Sequence, residues 1–159
     1  MKEKFLKFWN KYKRLILYIL IPLMVGFIGN LLGGSTDIYK EINTPSFAPP
    51  GWLFPVVWTI LYTLMGIGSY VVRNKKNSKK ALIIYSIQLG FNALWSLLFF
   101  RLRLFAFSSL WLVILIALVA YMIYEFYKLN KTAGLIQIPY LLWLVFAFIL
   151  NYSIYLLNP

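Results

Sequence analysis

The sequence has no cysteine and no histidine, and only four of its 159 residues are acidic. Without cysteine there is no disulfide, no thiolate metal site and no cysteine nucleophile. Without histidine the commonest general base, the commonest metal ligand and the usual proximal haem ligand are missing too. Charged residues make up 13% of the chain and hydrophobic ones 62%, against about 25% and 45–50% in soluble domains. No core of this size could hide so much apolar surface from water, so the solvent must be largely lipid. A net charge of +12 would suit a nucleic-acid partner. The lysines and arginines, however, stand at the ends of apolar runs, as membrane anchors do, and no nucleic-acid partner is expected.

What is present is five long apolar runs, at about residues 15–32, 51–72, 81–100, 105–127 and 134–157. Each has the ~20 residues that a helix needs to cross a bilayer. Lipid offers the backbone no hydrogen-bond partner, so these runs must be helical. The expected fold is an all-α integral membrane protein, a five-transmembrane-helix bundle forming one domain over residues 1–159. A basic segment, 1–14, precedes it, and a loop, 33–50, follows the first span. The first run lacks a small-residue cleavage site and is read as retained rather than as a signal peptide. No internal repeat is visible, which counts against a gated carrier built from two matched halves.

Thirteen of the sixteen basic residues lie on one side of this topology, in the N-terminal segment, the second loop and the fourth loop. Only Lys40, Arg101 and Arg103 lie on the other. This bias puts the N-terminus inside the cell (plasma) membrane and the C-terminus outside. The loop 33–50, with Asp37 and Glu41, then faces outward. Residues 2–14 interleave Phe5, Phe8, Trp9 and Tyr12 with lysines. Two readings stand for them: a short interfacial helix on an anionic leaflet, or a disordered basic tail that only sets topology.

The stretch from Thr44 to Tyr62 is the most informative. Pro45, Pro49 and Pro50 stiffen a loop that cannot be helical, and an apolar aromatic helix follows directly. The loop is a candidate lid, and the helix behind it a candidate binding wall. Polar groups inside a membrane are costly, so their positions carry information. In the third span Tyr85, Gln88, Asn92, Trp95, Ser96 and Phe99 recur at helical spacing on one face. In the fifth, Tyr140, Trp143, Ala147 and Asn151 do so; in the second, Trp58, Tyr62, Met65 and Ser69. Such faces suit a flat apolar ligand with polar edges, stacked on rings and oriented by amides. They equally suit helix–helix contact through Asn, Gln and Ser. Glu125, one turn from the end of its span and near Lys128, is read as a snorkelling ion pair ahead of a proton relay. Gly29 and Gly33 match the small-xxx-small packing pattern, a sign of close helix contact and a weak one of a dimer face.

Three stretches together resemble the TspO/MBR family, the translocator proteins and tryptophan-rich sensory proteins once called peripheral benzodiazepine receptors. They are Pro45-Ser-Phe-Ala-Pro-Pro-Gly-Trp-Leu-Phe-Pro-Val-Val-Trp58 running on to Tyr70, Gln88-Leu-Gly-Phe-Asn92-Ala-Leu-Trp95 running on to Phe100, and Pro139-Tyr-Leu-Leu-Trp143 running on to Tyr152. The resemblance covers the chain from about residue 20 onward and implies a bacterial member of a five-helix, often dimeric family. It implies a pocket near the first loop that binds porphyrins such as protoporphyrin IX and haem, and no required cofactor or metal. By position its ligand-binding residues are Tyr39, Pro49, Trp58, Tyr62, Asn92, Trp95, Trp143 and Ala147. Asn151 joins them from the periodic stripe. Two departures are visible. Phe47 stands where the family often has Trp. No basic residue follows Tyr152, where the animal cholesterol motif has one.

The function expected is a membrane receptor or binding protein for tetrapyrroles and similar flat ligands, with sensing or transport as its use. The alternative is a light- and oxygen-dependent porphyrin-degrading enzyme. The sequence offers no acid–base pair or nucleophile for that; the resemblance implies Trp58 and Trp143 as the residues that would carry it, by redox or radical chemistry. Partners expected are the lipid bilayer, a porphyrin-like small molecule and a second copy of the chain.

Overall fold

The computed structural model describes residues 2–34 and 38–159; residues 35–37, and with them Asp37 of the outer loop, lie outside the described residues. Every regular element among the described residues is helical: α1 (Lys2–Gly33), α2 (Ile38–Glu41), α3 (Leu53–Val72), α4 (Ser78–Ser96) continued by a π-helical turn (Leu97–Arg101), α5 (Phe105–Leu129), α6 (Lys131–Leu135) and α7 (Ile138–Leu157). Five stretches are long and apolar enough to cross a membrane: 12–33, 53–72, 78–101, 105–129 and 131–157. The chain is thus a multi-pass membrane protein, with each span within three residues of its expected bounds.

The helix starts and stops follow local chemistry. Pro49 and Pro50 stay outside α3, which begins after a turn closed by the Leu53 N–H to the Pro50 carbonyl, 3.0 Å. Pro55 falls in the first turn of α3, where its missing N–H costs no bond. The fifth span is two helices. Asn130 caps α6 by accepting from the Ala133 N–H at 2.9 Å, a strong N-cap. Gly134 lets that short helix fold back on α5, because a Cβ there would stand 2.7 Å from Tyr127 Cα. The chain then turns at Ile136 and Gln137, and Pro139 sits at the start of α7. At the other terminus, the basic segment is helical and runs without a break into the first span. That favours a helix over a disordered tail.

Side by side, α3 packs on α1, α1 on α4, α4 on α5 and α5 on α7. Gly66 permits the first contact, since a Cβ would meet Ile19 Cα at 2.5 Å. Gly29 and Gly33 permit the second, facing the Ala93 and Ser96 backbone at 3.1 Å each. The small-residue stripe is therefore used inside the bundle and supplies no dimer face. The ring closes along a wider seam between α3 and α7, bridged by large side chains. Hydroxyls near lipid bond their own helix, Thr59 to the Pro55 carbonyl at 2.7 Å and Thr63 to that of Thr59 at 2.8 Å. This satisfies groups that lipid could not.

One end of the bundle gathers the first loop, the turn after α4 and the C-terminus. Asn43 and Asn158 exchange bonds there, the Asn43 N–H to the Asn158 side-chain oxygen at 2.9 Å and the Asn158 amide to the Asn43 carbonyl at 2.9 Å. Arg103 pairs with Glu41 at 2.6 Å. The other end carries most of the basic residues. Arg73 lies over the Tyr70 ring at 3.5 Å and within 5.8 Å of Tyr18, tying α3 to α1. Glu125 is shared by Lys80 at 3.1 Å and Lys128 at 3.4 Å, the expected ion pair with one cation more than foreseen.

Candidate functional site: an aromatic cavity at the loop end

The α3–α7 seam is filled by rings because each flanking helix turns an aromatic face toward it. From α3 come Phe54 and Trp58, four residues apart. From α7 come Trp143, Ala147, Leu150 and Asn151. Trp95 of α4 and Phe99 of the π-helical turn close the third side, and Tyr39 of α2 covers the top. These nine residues line a narrow cavity of about 20 Å³, room for roughly one water. The rings meet at defined angles: Tyr39 stacks on Phe54 at 5.9 Å, Phe54 meets Trp143 edge-on at 5.9 Å, and Trp95 stacks on Phe99 at 5.2 Å.

The π-helical turn positions this roof. The Leu102 N–H reaches the Leu97 carbonyl, five residues back, at 3.0 Å. Such turns insert one residue into an α-helix and often mark functional sites. Here it brings Phe99 and Phe100 together against Tyr39, at 6.2 and 5.8 Å. Burial in this roof pushes the Tyr39 phenol above its usual range, because the charged form would lose its water.

Two of the lining residues carry polar groups in opposite states. Asn151 is 1% exposed and saturated. Its oxygen accepts from Trp95 Nε1 at 3.1 Å and Ser108 Oγ at 3.0 Å. Its amide donates to the Phe105 carbonyl at 2.9 Å and to Ser109 Oγ at 2.9 Å. It has no bond left to give a ligand. Trp143 is the opposite case. Its indole N–H is buried and has no partner, a state rare enough in folded proteins to call for an explanation.

Of the residues marked from sequence, the structure brings together Tyr39, Trp58, Trp95, Trp143, Ala147 and Asn151. Pro49, Tyr62 and Asn92 do not line the cavity. Tyr62 stacks under Trp58 at 5.4 Å, one turn closer to the basic end. Asn92 sits at the same depth, donating to Tyr140 Oη at 2.9 Å while Tyr140 donates to Gln88 at 2.8 Å. These form a buried polar layer beneath the cavity, completed by Gln137, which donates to the Leu64 carbonyl at 2.9 Å. Phe54, Phe99 and Leu150 were missing from the sequence-based site. Phe99 stood on the third-span stripe without being chosen as a site residue; Phe54 is four residues from Trp58 and Leu150 three from Ala147, so helical spacing could have found those two as well.

A family model described as the TspO/MBR family matches residues 18–157. The tryptophan-rich protein TspO of Archaeoglobus fulgidus is 36% identical over 150 residues, covering 91% of this chain and 97% of its own. The tryptophan-rich sensory protein of Cereibacter sphaeroides is 36% identical over 120 residues, 76% of each chain. The translocator protein of Sus scrofa is 32% identical over 145 residues, covering 87% of this chain and 86% of its own.

Proposed function

The chain belongs to the TspO/MBR family, and on that premise we propose that it is a membrane receptor whose aromatic cavity takes a flat, largely apolar ligand of the tetrapyrrole class. The observation that carries this reading is the Trp143 indole N–H, buried at the cavity wall without a partner. An acceptor on a ligand edge would satisfy it, while the Trp58, Trp95 and Phe54 rings offer faces for stacking. Among the described residues the lining holds no carboxylate, amine or imidazole, so it suits binding rather than acid–base chemistry. Haem iron would gain no histidine or cysteine ligand, and recognition would rest on the ring.

At about 20 Å³ the cavity is far below the ~300–1,000 Å³ of a site that holds a drug-sized molecule. A tetrapyrrole must therefore move Tyr39 and the loop aside, which makes 33–50 a lid. Tryptophan quenching on titration with protoporphyrin IX and with haem tests the proposal. Saturable binding of both is expected, with Trp143→Phe weaker by about threefold to tenfold, the worth of one hydrogen bond. No saturable quenching, or a strong preference for the iron form, overturns it.

The N-terminus is assigned to the inside of the plasma membrane. A chain without cysteine is easily probed: Ser46→Cys should react with an impermeant maleimide on intact cells, and Asn74→Cys only after permeabilisation. The reverse pattern refutes the orientation.

A further inference from the structure

At the basic end, α4 and α5 leave an open groove on the outer surface of the bundle. Asn77, Lys79, Lys80, Ile83, Ile84 and Tyr121 line it, and its volume is about 460 Å³. Its mouth is polar and cationic, and its wall is apolar. Ile83 is 49% exposed, and the apolar wall continues along α4 to exposed Ile87. This is the polarity profile of a phospholipid, in the same direction along the membrane normal.

The charge at the mouth is unbalanced. Lys80 and Lys128 share a single carboxylate, Glu125, so one of the two positive charges is left over. Lys79 adds a second on the groove wall. Lys80 also lies 5.0 Å from the centre of the Tyr121 ring, which holds the ammonium at the mouth. The side chains of Lys80 and Lys128 remain 60% and 51% exposed, free to meet a headgroup.

We propose that this groove is a binding site for an anionic phospholipid of the adjoining leaflet, its phosphate at Lys79 and Lys80 and one acyl chain along Ile83 and Ile87. A zwitterionic lipid would bring its own cation to a mouth that already has one in excess. Basic pockets between membrane helices hold anionic headgroups by this balance.

The absence of cysteine supplies the probe. Ile87→Cys carries a fluorophore, and the protein is reconstituted in phosphatidylcholine vesicles doped with brominated phosphatidylglycerol or, at equal fraction, brominated phosphatidylcholine. The expected result is stronger quenching by the phosphatidylglycerol. Lys79→Gln with Lys80→Gln should lower that preference, by up to about fivefold per lysine, and Lys79→Arg with Lys80→Arg should keep it. Lys75→Gln with Lys76→Gln removes the same charge from the preceding turn, outside the groove, and should also keep it. Equal quenching by the two lipids overturns the proposal. So does equal loss in both glutamine pairs, which would mark diffuse attraction to the surface. Reversal of the preference by inorganic phosphate would mean a free-anion site instead, and overturns it as well.

Discussion

Replacing Asn151 with alanine should cost the bundle roughly 2–5 kcal/mol. Asn151 makes four hydrogen bonds from α7, to Trp95 on α4 and to Phe105, Ser108 and Ser109 on α5. Bonds between helices in lipid are worth about 0.6 kcal/mol on average and at most about 1.7. Four average bonds give the lower part of that range. The orphaned Trp95 N–H, now buried without a partner, supplies the rest. Asn92→Ala serves as the comparison, since its described bond is the single one to Tyr140, and it should cost about 1 kcal/mol. The assay is reversible unfolding in mixed micelles, followed by helical circular dichroism. A double-mutant cycle isolates the key contact: Trp95→Phe keeps the ring and removes the donor. Its cost should overlap that of Asn151→Ala by about 0.6–1.7 kcal/mol. Strictly additive costs would mean that the Trp95–Asn151 bond does not form in the membrane. A stable Asn151→Ala protein that loses ligand binding would refute the reasoning more deeply, because it would make Asn151 a ligand contact and not a helix tie.

Other outcomes follow from single positions. Gly66→Ala should cost about 1–3 kcal/mol by overpacking, since its Cβ would press on Ile19 and the Tyr18 carbonyl; Gly90→Ala, with open space around it, should be neutral or stabilising by up to ~1 kcal/mol, both read in the same unfolding assay. Glu41→Gln removes the exposed pair with Arg103 and should speed ligand association by no more than about fivefold, the worth of a surface ion pair. Stopped-flow quenching would show the difference, which should shrink at high salt. The raised Tyr39 pKa gives a signed pH dependence. The folded chain keeps this proton above about pH 10, where the unfolded chain releases it. Its stabilising share is therefore complete below that pH and is lost as the pH rises beyond it. Tyr39→Phe should flatten the alkaline limb of the stability curve, and an unchanged limb would mean that Tyr39 is solvated.

Angle around a helix was legible in the sequence, and height along it was not. Trp58, Trp95, Trp143 and Ala147 were chosen by spacing and do meet, because residues three and four apart share a face. Asn92 and Asn151 looked alike by the same rule, each on a mixed face with a tryptophan, Trp95 one turn from Asn92 and Trp143 two turns from Asn151. The structure separates them by depth: Asn151 sits at the cavity with Trp95, and Asn92 one layer beneath with Gln88 and Tyr140. Depth depends on how far each helix slides past its neighbours, and periodicity carries no record of that. It is set by contacts such as Gly66 on Ile19 and Gly29 on Ala93, whose partners lie far off in the chain. Two local breaks also escaped the pattern. Leu97–Arg101 is as apolar as the α-helix before it, and the extra residue of the π-helical turn leaves no compositional mark. The turn at Ile136–Gln137 divides a stretch that reads as one span, and it follows the fold-back at Gly134.

The same distinction separates the two polar states at the cavity. A saturated amide such as Asn151 holds the walls at fixed spacing, which is what a pocket needs when its occupant is absent. An unpartnered donor such as the Trp143 indole costs stability while the cavity is empty, on the order of 1–3 kcal/mol. That cost is recovered only if something accepts the bond. Trp143→Phe should therefore leave the empty protein as stable as before, or more so, while weakening its complex with protoporphyrin IX. A structural tryptophan would behave the other way round, losing stability without a selective effect on affinity. Measuring both quantities on one variant thus decides whether the orphan N–H belongs to the scaffold or to the ligand.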